Sequence, residues 1–326
     1  MLELLQPETV PAPVTPRVVV IGNFDGFHRG HQEVVSQAHA LSARLGGTVW
    51  LMTFEPHPRE YFAPQTKRFV VADKAIEMRL AEALGFEGHY TLKFDATLAQ
   101  KSPEEFVDQH VLGDLQASGV VLGHDFRFGK ARAGSAASLA ADGRFEVVEA
   151  DAIVDEGGEA ISSTRIRQAL KERHLSLANG LLGYRYMVSG SVEHGDKRGR
   201  TLGFPTANIH LAETCPLAGG AYAVTVRIKG VVHRGVANYG RRPTFGDKPP
   251  MLEVHVLDFD GDLYGETLIV AFHSFLREEK RFDGPEQLIG QLKLDQEEAI
   301  ASLAAAQPLS ELDLKLGMVH SSLEAV

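Results

Sequence analysis

Arg17-Val18-Val19-Val20-Ile21-Gly22-Asn23-Phe24-Asp25-Gly26-Phe27-His28-Arg29-Gly30-His31 is the stretch that decides how this chain reads. Val18 to Ile21 are four β-branched residues in a row, the pattern of a strand buried on both faces. Beyond the stretch, Val34, Val35, Ala38, Leu41 and Leu45 fall at helical spacing, and Gly46-Gly47 supplies the stop. The glycine-rich part is therefore a strand-to-helix loop, with His31 in or beside the helix's first turn. A helix N-terminus presents free backbone N–H groups and partial positive charge to a phosphate. Gly22, Gly26 and Gly30 let the backbone approach a ligand closely. His28 and His31, separated by Arg29 and Gly30, can set two imidazole donors on one anionic centre. The alternative is a glycine-rich turn with two surface histidines. The strand before, the helix after and Gly30 beside His31 favour the phosphate site.

At 326 residues the chain is long enough for two domains, each with its own core. Hydrophobic residues make up 44% and charged residues 23%, the composition of a soluble globular protein. A net charge of −10 argues against a nucleic-acid partner, which calls for a basic excess. The single cysteine, Cys215, excludes an intramolecular disulfide and fits a reducing cytoplasm. No apolar run approaches a membrane span. Residues 1–16 hold four prolines, two glutamates and no basic residue, so they read as an extended arm and not as a signal peptide.

Thr48 to Phe54 reads as a second buried strand running into Glu55-Pro56-His57-Pro58, a rigid elbow at the strand end where open α/β sheets bind ligands. Asp73 caps a helix through about Leu84, with Ile76 and Leu80 inward. A short strand follows near Tyr90–Phe94. Ser102-Pro103-Glu104-Glu105 is a capping box with proline at the first helical position. Gly119 to Gly123 is the next strand and ends in the polar and aromatic run His124-Asp125-Phe126-Arg127-Phe128-Gly129; Phe145–Val148 is a further one. Ile161-Ser162-Ser163-Thr164-Arg165-Ile166-Arg167 puts hydroxyls at a helix start and two arginines in its first turns, which suits outer phosphates or a plain N-cap with solvated arginines. Alternation of strand and helix implies a parallel sheet covered on both faces.

Gly-x-Phe-Asp-Gly-x-His-x-Gly-His resembles the His-x-Gly-His signature of the nucleotidylyltransferase superfamily, in which the α-phosphate of ATP is attacked directly, with no covalent enzyme intermediate. Joined to Gly-x-Asp-Phe-x-Phe-Gly and Ile-Ser-Ser-Thr-x-Ile-Arg in this order, it resembles the FMN adenylyltransferase module of bacterial FAD synthetases, over about Arg17 to Tyr184. The resemblance implies that His28 and His31 stabilise charge on the α-phosphate. It also implies that Gly22, Phe24, Asp25 and Gly30 line the nucleotide, and that Ser163, Thr164 and Arg167 hold the triphosphate. Phe54, His57, Pro58 and the Asp125 loop then help hold flavin and adenosine. Some family members carry Asn in place of Asp125.

After Gly183 the pattern changes. Tyr186–Glu193, Gly220–Ile228, Val231–Asn238, Met251–Leu257 and Thr267–Phe275 are short, valine-rich and separated by Gly, Pro and Asp turns, which predicts an antiparallel barrel or sandwich. Leu288, Leu292, Leu294, Ile300 and Leu303 predict a closing helix, and a second one starts near Leu309, ahead of a tail. The stretch Gly195 to Asn208 reads as a loop whose glycines, amides and basic residues can cradle phosphates, although it lacks the Gly-Lys-Ser/Thr ending of a Walker loop. Thr206 and Asn208 are neutral oxygen donors able to share Mg²⁺ with ATP oxygens. Glu253 and His255 share one strand face, so at least one points to the barrel interior or a cleft; a buried unpaired carboxylate is costly, which leaves Glu253 paired, exposed or functional.

Gly-Phe-Pro-Thr-Ala-Asn, Gly-Val-Ala-Asn-Tyr-Gly around Asn238, and Glu253 ahead of Phe259-Asp260-Gly261-Asp262-Leu263-Tyr264-Gly265 resemble riboflavin kinase, over about Tyr186 to Leu303. This implies Thr206 and Asn208 as Mg²⁺ ligands and Glu253 as general base. Gly195, Lys197, Gly199, Arg200, Gly203, Pro205 and Asn238 then lie around ATP and flavin, with Arg277 and Phe282 near the flavin. The whole chain thus resembles the bifunctional bacterial riboflavin kinase/FAD synthetase family. The implied organisation is an arm (1–16), a Rossmann-like α/β adenylyltransferase (17–184), a β-barrel kinase with its closing helix (185–308) and a C-terminal helix and tail (309–326). ATP, riboflavin and FMN are the implied small-molecule partners, FAD the product and Mg²⁺ the cofactor. An aminoacyl-tRNA synthetase-like enzyme also uses such a histidine loop, but the acidic balance argues against it. A non-catalytic flavin carrier would have no use for His28, His31 and Glu253.

Overall fold

Four consecutive β-branched residues need cover on both faces, and Val18 to Ile21 have it: all are essentially inaccessible to solvent. Each such side chain contributes roughly 1.5–3 kcal/mol when fully buried. The computed structural model describes residues 4–66, 69–195, 203–240 and 250–319. Two compact units result, one from 1–68 with 77–162, the other from 69–76 with 163–326.

In the first unit the strands are β1 (Leu4–Leu5), β2 (Arg17–Ile21), β3 (Thr48–Glu55), β4 (Gly88–Lys93), β5 (Ala117–Gly123) and β6 (Glu146–Ala150). They form one sheet in the order β1-β4-β3-β2-β5-β6, parallel throughout. The first strand belongs to the expected arm, which adds a short edge to the sheet beside His89 and Tyr90. Helix α1 (Arg29–Leu45) packs Val34, Val35, Ala38 and Leu41 inward, and Gly46 ends it in the left-handed conformation (φ 68°). Gly119 lets α1 approach, because a Cβ there would lie 2.8 Å from a Leu41 methyl. The other face carries Val19, Ile21, Trp50, Met52, Val120 and Leu122 in one core with Phe106, Val107 and Val111. Those last three belong to α5 and its continuation. Ahead of it come α2 (Pro58–Phe62), α3 (Lys74–Ala83) and α4 (Ala96–Gln100); α5 (Pro103–Phe106) starts at the expected capping box and runs on in wider π-type turns over Val107–Asp114, and α6 (Ala136–Asp142) follows. From β2 the chain moves outward through β3 and β4, then returns to β5 on the other side of β2. Such a reversal opens a crevice at the C-terminal ends of β2 and β5.

The second unit includes α7 (Ser163–Lys171) and α8 (Leu175–Leu182), then β7 (Met187–Glu193), β8 (Ala207–His210), β9 (Gly220–Ile228), β10 (Val231–Gly240), β11 (Met251–Val256) and β12 (Thr267–Arg277). The strands close into an antiparallel barrel in the order β10-β11-β8-β7-β12-β9, with β9 paired to β10. Closure removes every unpaired edge. Five of the strands match expectation. The sixth, β8, lies at the end of the stretch read as a loop; four residues after a proline carry too little pattern to announce a strand. Packing also divides the chain earlier than Tyr184. Asn179 of α8 donates to the Phe272 carbonyl (3.0 Å) and accepts from the Tyr186 amide (2.8 Å), and Asp73 accepts from the amide and hydroxyl of Ser189, both at 2.9 Å.

Helix α9 (Pro285–Ala304) follows the barrel, and α10 (Glu311–Leu316) starts after Ser310; residues 320–326 of the expected tail lie outside the described residues. One expectation for α9 is corrected: Leu294 is 59% exposed, and Asp295 is the residue turned inward, 2% exposed. The inward stripe runs through Asp295, Ala299 and Leu303, and Asp295 is tolerated there because Arg277 grips it through two bonds of 2.8 and 2.6 Å. Among the described residues no helix is long and apolar enough to cross a membrane.

Candidate active sites

At the crevice of the parallel sheet, the loop after β2 folds back on itself. The Phe27 amide donates to the Phe24 carbonyl (3.1 Å), with Gly26 at φ 82° and Phe27 at φ 39°. The Phe24 ring rests on Gly22, where a Cβ would sit 3.0 Å away, and turns its edge to the His31 ring at 5.0 Å. Asp25 occupies the half-buried tip of this turn. His28 is the N-cap of α1: its Nδ1 accepts the His31 amide at 3.3 Å. An accepting Nδ1 puts the proton of neutral His28 on Nε2. Gly30 makes room for the ring, since a Cβ would come within 3.2 Å of it.

The His28 and His31 rings stack at 3.6 Å, 18° from parallel. His31 Nδ1 is buried without a hydrogen-bond partner among the described residues. Burial, with like charge on His28 adding to it, pushes His31 well below the ordinary histidine range. At neutral pH this ring is therefore uncharged. Two imidazoles and a helix N-terminus converge, as the spacing predicted.

The other loops of this sheet edge carry aromatic rings. Phe54 lies 6.2 Å from both Phe94 and Phe106; Phe106 meets Phe128 at 5.2 Å, and Phe128 stacks with Phe126 at 6.0 Å. His57 caps α2 through Nδ1, which accepts the Arg59 amide (3.0 Å), and Pro58 takes the first helical position. Asp125 is exposed, on the turn closed by the Phe126 amide and the Gly123 carbonyl. Ile161, which leads into the third motif, passes the histidine loop, its carbonyl 3.9 Å from where a Gly30 Cβ would be. Ser163, Thr164 and Arg167 themselves lie on α7 of the second unit, where Arg167 donates to the Thr164 hydroxyl (3.3 Å).

In the barrel the candidate residues come together through strand register. Glu253 on β11 pairs with Asn208 on β8 and with Asn238 on β10. Asn208 pairs in turn with Glu193, Asn238 with Ala221, and Ala221 with Arg277. Residues directly opposite share a face, so Asn208, Glu253 and Asn238 form one row. Leu252, Val254 and Val256 fill the barrel interior. The row, and His255 beside it, therefore faces outward, and of the two directions open to Glu253 and His255 the interior is excluded.

The Gly203–Thr206 segment lies over this outer face. Gly203 turns at φ 82°, Phe204 is buried, and the Pro205 carbonyl accepts from His255 Nδ1 at 2.8 Å. Asn208 is buried; its amide donates to the Thr206 carbonyl (3.4 Å), and a Cβ on Gly195 would clash with that amide at 2.5 Å. Lys197, Gly199 and Arg200 lie outside the described residues. Among the described residues no three acidic, histidine or cysteine side chains gather as a metal cage. The neutral oxygens of Thr206 and Asn208 beside one carboxylate suit a hard cation that completes its shell with phosphate oxygens and water. Arg277 points its guanidinium at Asp295 and the Glu278 carbonyl (2.9 Å), with Phe282 at 5.9 Å. Asp295 was not singled out from sequence, and His255 was named only for sharing a strand face with Glu253. An aspartate in a helical stripe was the only signal for the first, and the period-2 neighbour of Glu253 for the second.

Residues 11–165 match the family model described as FAD synthetase, and residues 182–303 the one described as riboflavin kinase. A bifunctional riboflavin kinase/FMN adenylyltransferase of Listeria monocytogenes is 40% identical over 299 residues, 88% of this chain and 93% of the relative. Its counterparts in Bacillus subtilis and Escherichia coli K12 are each 36% identical, covering 87% of this chain and 91% and 92% of the relatives. A crystal structure from Streptococcus pneumoniae, described as a macrolide-efflux protein, superposes with TM-score 0.82 at 33% identity, covering 91% of this chain and 98% of that one.

Proposed function

Because the chain belongs to the bifunctional riboflavin kinase/FMN adenylyltransferase family, we propose that its two chemistries are carried by the two sites just described. The enzyme phosphorylates riboflavin to FMN with ATP, then adenylylates FMN to FAD with release of pyrophosphate. Adenylylation is assigned to 17–184 and phosphorylation to 185–308, with the arm and the C-terminal segment outside both.

In the kinase reaction the ribityl 5′-hydroxyl attacks the γ-phosphorus of ATP and ADP leaves. A primary alcohol is a poor nucleophile at neutral pH, so Glu253 accepts its proton as the bond forms. Thr206 and Asn208 would hold Mg²⁺ against the phosphates, where it offsets charge on the transferring group. Gly195, Gly203, Pro205 and Asn238 line the nucleotide and flavin, together with Lys197, Gly199 and Arg200. Arg277, held by Asp295, sets Phe282 beside the flavin ring. The observation that carries this half is the register that aligns Asn208, Glu253 and Asn238 on one outer face.

In the adenylylation an oxygen of the FMN phosphate attacks the α-phosphorus of a second ATP, and pyrophosphate leaves. His28 through Nε2–H, His31 and the first amides of α1 stabilise the charge that builds there. Ser163, Thr164 and Arg167 take the outer phosphates, and the aromatic edge at Phe54, with His57, Pro58 and Asp125, takes flavin and adenine. The stacked imidazoles at a helix N-terminus support this half. A cytoplasmic setting, where ATP and reduced thiols abound, accords with the single cysteine. Chromatography after incubation with riboflavin, ATP and Mg²⁺ tests the assignment: FMN should appear first and FAD after it, and added FMN should give FAD without riboflavin. A chain that binds flavin yet forms neither product would refute it.

A further inference from the structure

His255 stands two residues beyond Glu253 on β11, on the same outward face. The β8–β11 ladder starts at Ala207 opposite Val254, so the next step sets Thr206 opposite His255. There the side chain takes over from the backbone. His255 Nδ1–H donates to the Pro205 carbonyl at 2.8 Å, and the ring meets the buried Phe204 ring edge-on at 5.3 Å. A carbonyl can only accept, so the proton resides on Nδ1 whether or not Nε2 is protonated.

We propose that His255 is a positioning residue for the kinase reaction. It fastens Phe204 and Pro205 to the strand that carries Glu253, and so holds the Thr206 and Asn208 oxygens in register with that carboxylate for a cation shared with the nucleotide phosphates. The inference rests on the assignment of Glu253, Thr206 and Asn208 to the kinase centre. Pro205 has no amide proton, so the segment cannot be secured there through its own N–H, and Thr206 lies just outside the ladder. His255 supplies a tie from β11, beside the one that the Asn208 amide makes to the Thr206 carbonyl.

The test uses the full chain and a binding readout. Riboflavin fluorescence is followed in the presence of ADP while Mg²⁺ is titrated, for the parent, His255→Ala, His255→Asn and Thr206→Ala. The alanine variant should need about three- to tenfold more Mg²⁺ for half-saturation, the size of one net hydrogen bond. Its kinase kcat at saturating Mg²⁺ should stay within about twofold, and FAD formation from added FMN should be unchanged. His255→Asn, whose side-chain N–H stands near the position of Nδ1, should recover most of the Mg²⁺ affinity. An unchanged Mg²⁺ midpoint in His255→Ala beside a shifted one in Thr206→Ala overturns this inference alone. An unchanged midpoint in Thr206→Ala overturns the metal assignment beneath it. A fall in kcat with the Mg²⁺ midpoint unmoved would make His255 part of the chemistry and not of the positioning.

Discussion

In the roles proposed for them, the histidine loop of the parallel sheet and the Glu253 row of the barrel hold charge on a transferring phosphorus by opposite constructions. In the first, the groups are neighbours in sequence: His28 caps a helix, Gly30 clears space for its ring, and His31 lies one turn along. Parallel strands satisfy their own backbone and leave chemistry to the loops at one sheet edge. In the second, Asn208, Glu253 and Asn238 come from three strands and meet only because antiparallel register brings them opposite one another. A loop site depends on a helix start; a barrel site depends on register, and one residue of slip would turn Glu253 into the interior.

The comparison breaks first, and by the largest margin, at Glu253. Glu253→Gln keeps shape and one acceptor oxygen but removes the basic carboxylate. Kinase turnover should fall by about 10²–10⁴, with FAD formation from added FMN intact. Turnover within a few-fold of the parent would make Glu253 a positioning group and move the base elsewhere. The loop site should respond somewhat less. His28→Ala or His31→Ala should each lower FAD formation by about 10²–10³ while FMN accumulates. Weaker ATP binding with unchanged turnover would instead mark the imidazoles as ground-state contacts.

The smallest effect sharpens the contrast between a histidine proposed for catalysis and one that packs. His273 of β12 is buried like the His31 ring, but it serves the barrel's cohesion: Nε2 lies 3.0 Å from the Thr225 hydroxyl, which donates to the Met318 carbonyl (2.6 Å). Burial, with Arg185 nearby, pushes its pKa from 6.5 to about 3. Between those values the unfolded chain takes up a proton that the folded one refuses. The neutral ring's contribution is therefore complete above pH 6.5 and is lost as pH falls toward 3, by up to about 1.4 kcal/mol per pH unit. His273→Gln should make the acid limb of denaturant-monitored stability shallower by up to one proton, with both activities near parental at pH 7. An acid limb as steep as the parent's would mean that His273 is protonated in the folded barrel.

The strand, loop and helix from Arg17 to Leu45 were determined by sequence alone, because every interaction that defines them is local. A buried β-branched run, glycines at the turn, helical spacing and a glycine stop lie within thirty residues of one another. The same holds for the short, valine-rich runs that announced an antiparallel barrel or sandwich and for the motifs that point to both reactions. Tertiary structure alone decided the rest. Strand β8 exists because β11 and β7 flank it, not because four residues after Pro205 demand it. Asp295 lies inside the helix stripe and Leu294 outside it because an arginine from β12 is there to receive the carboxylate. The helices from Ser163 to Leu182 join the barrel through Asn179, whose partners are Tyr186 and, 93 residues on, Phe272. Sequence spacing records which groups share a helix turn or a strand face. Which strands become neighbours, and in what register, is settled only when the whole barrel closes and each backbone group finds its partner.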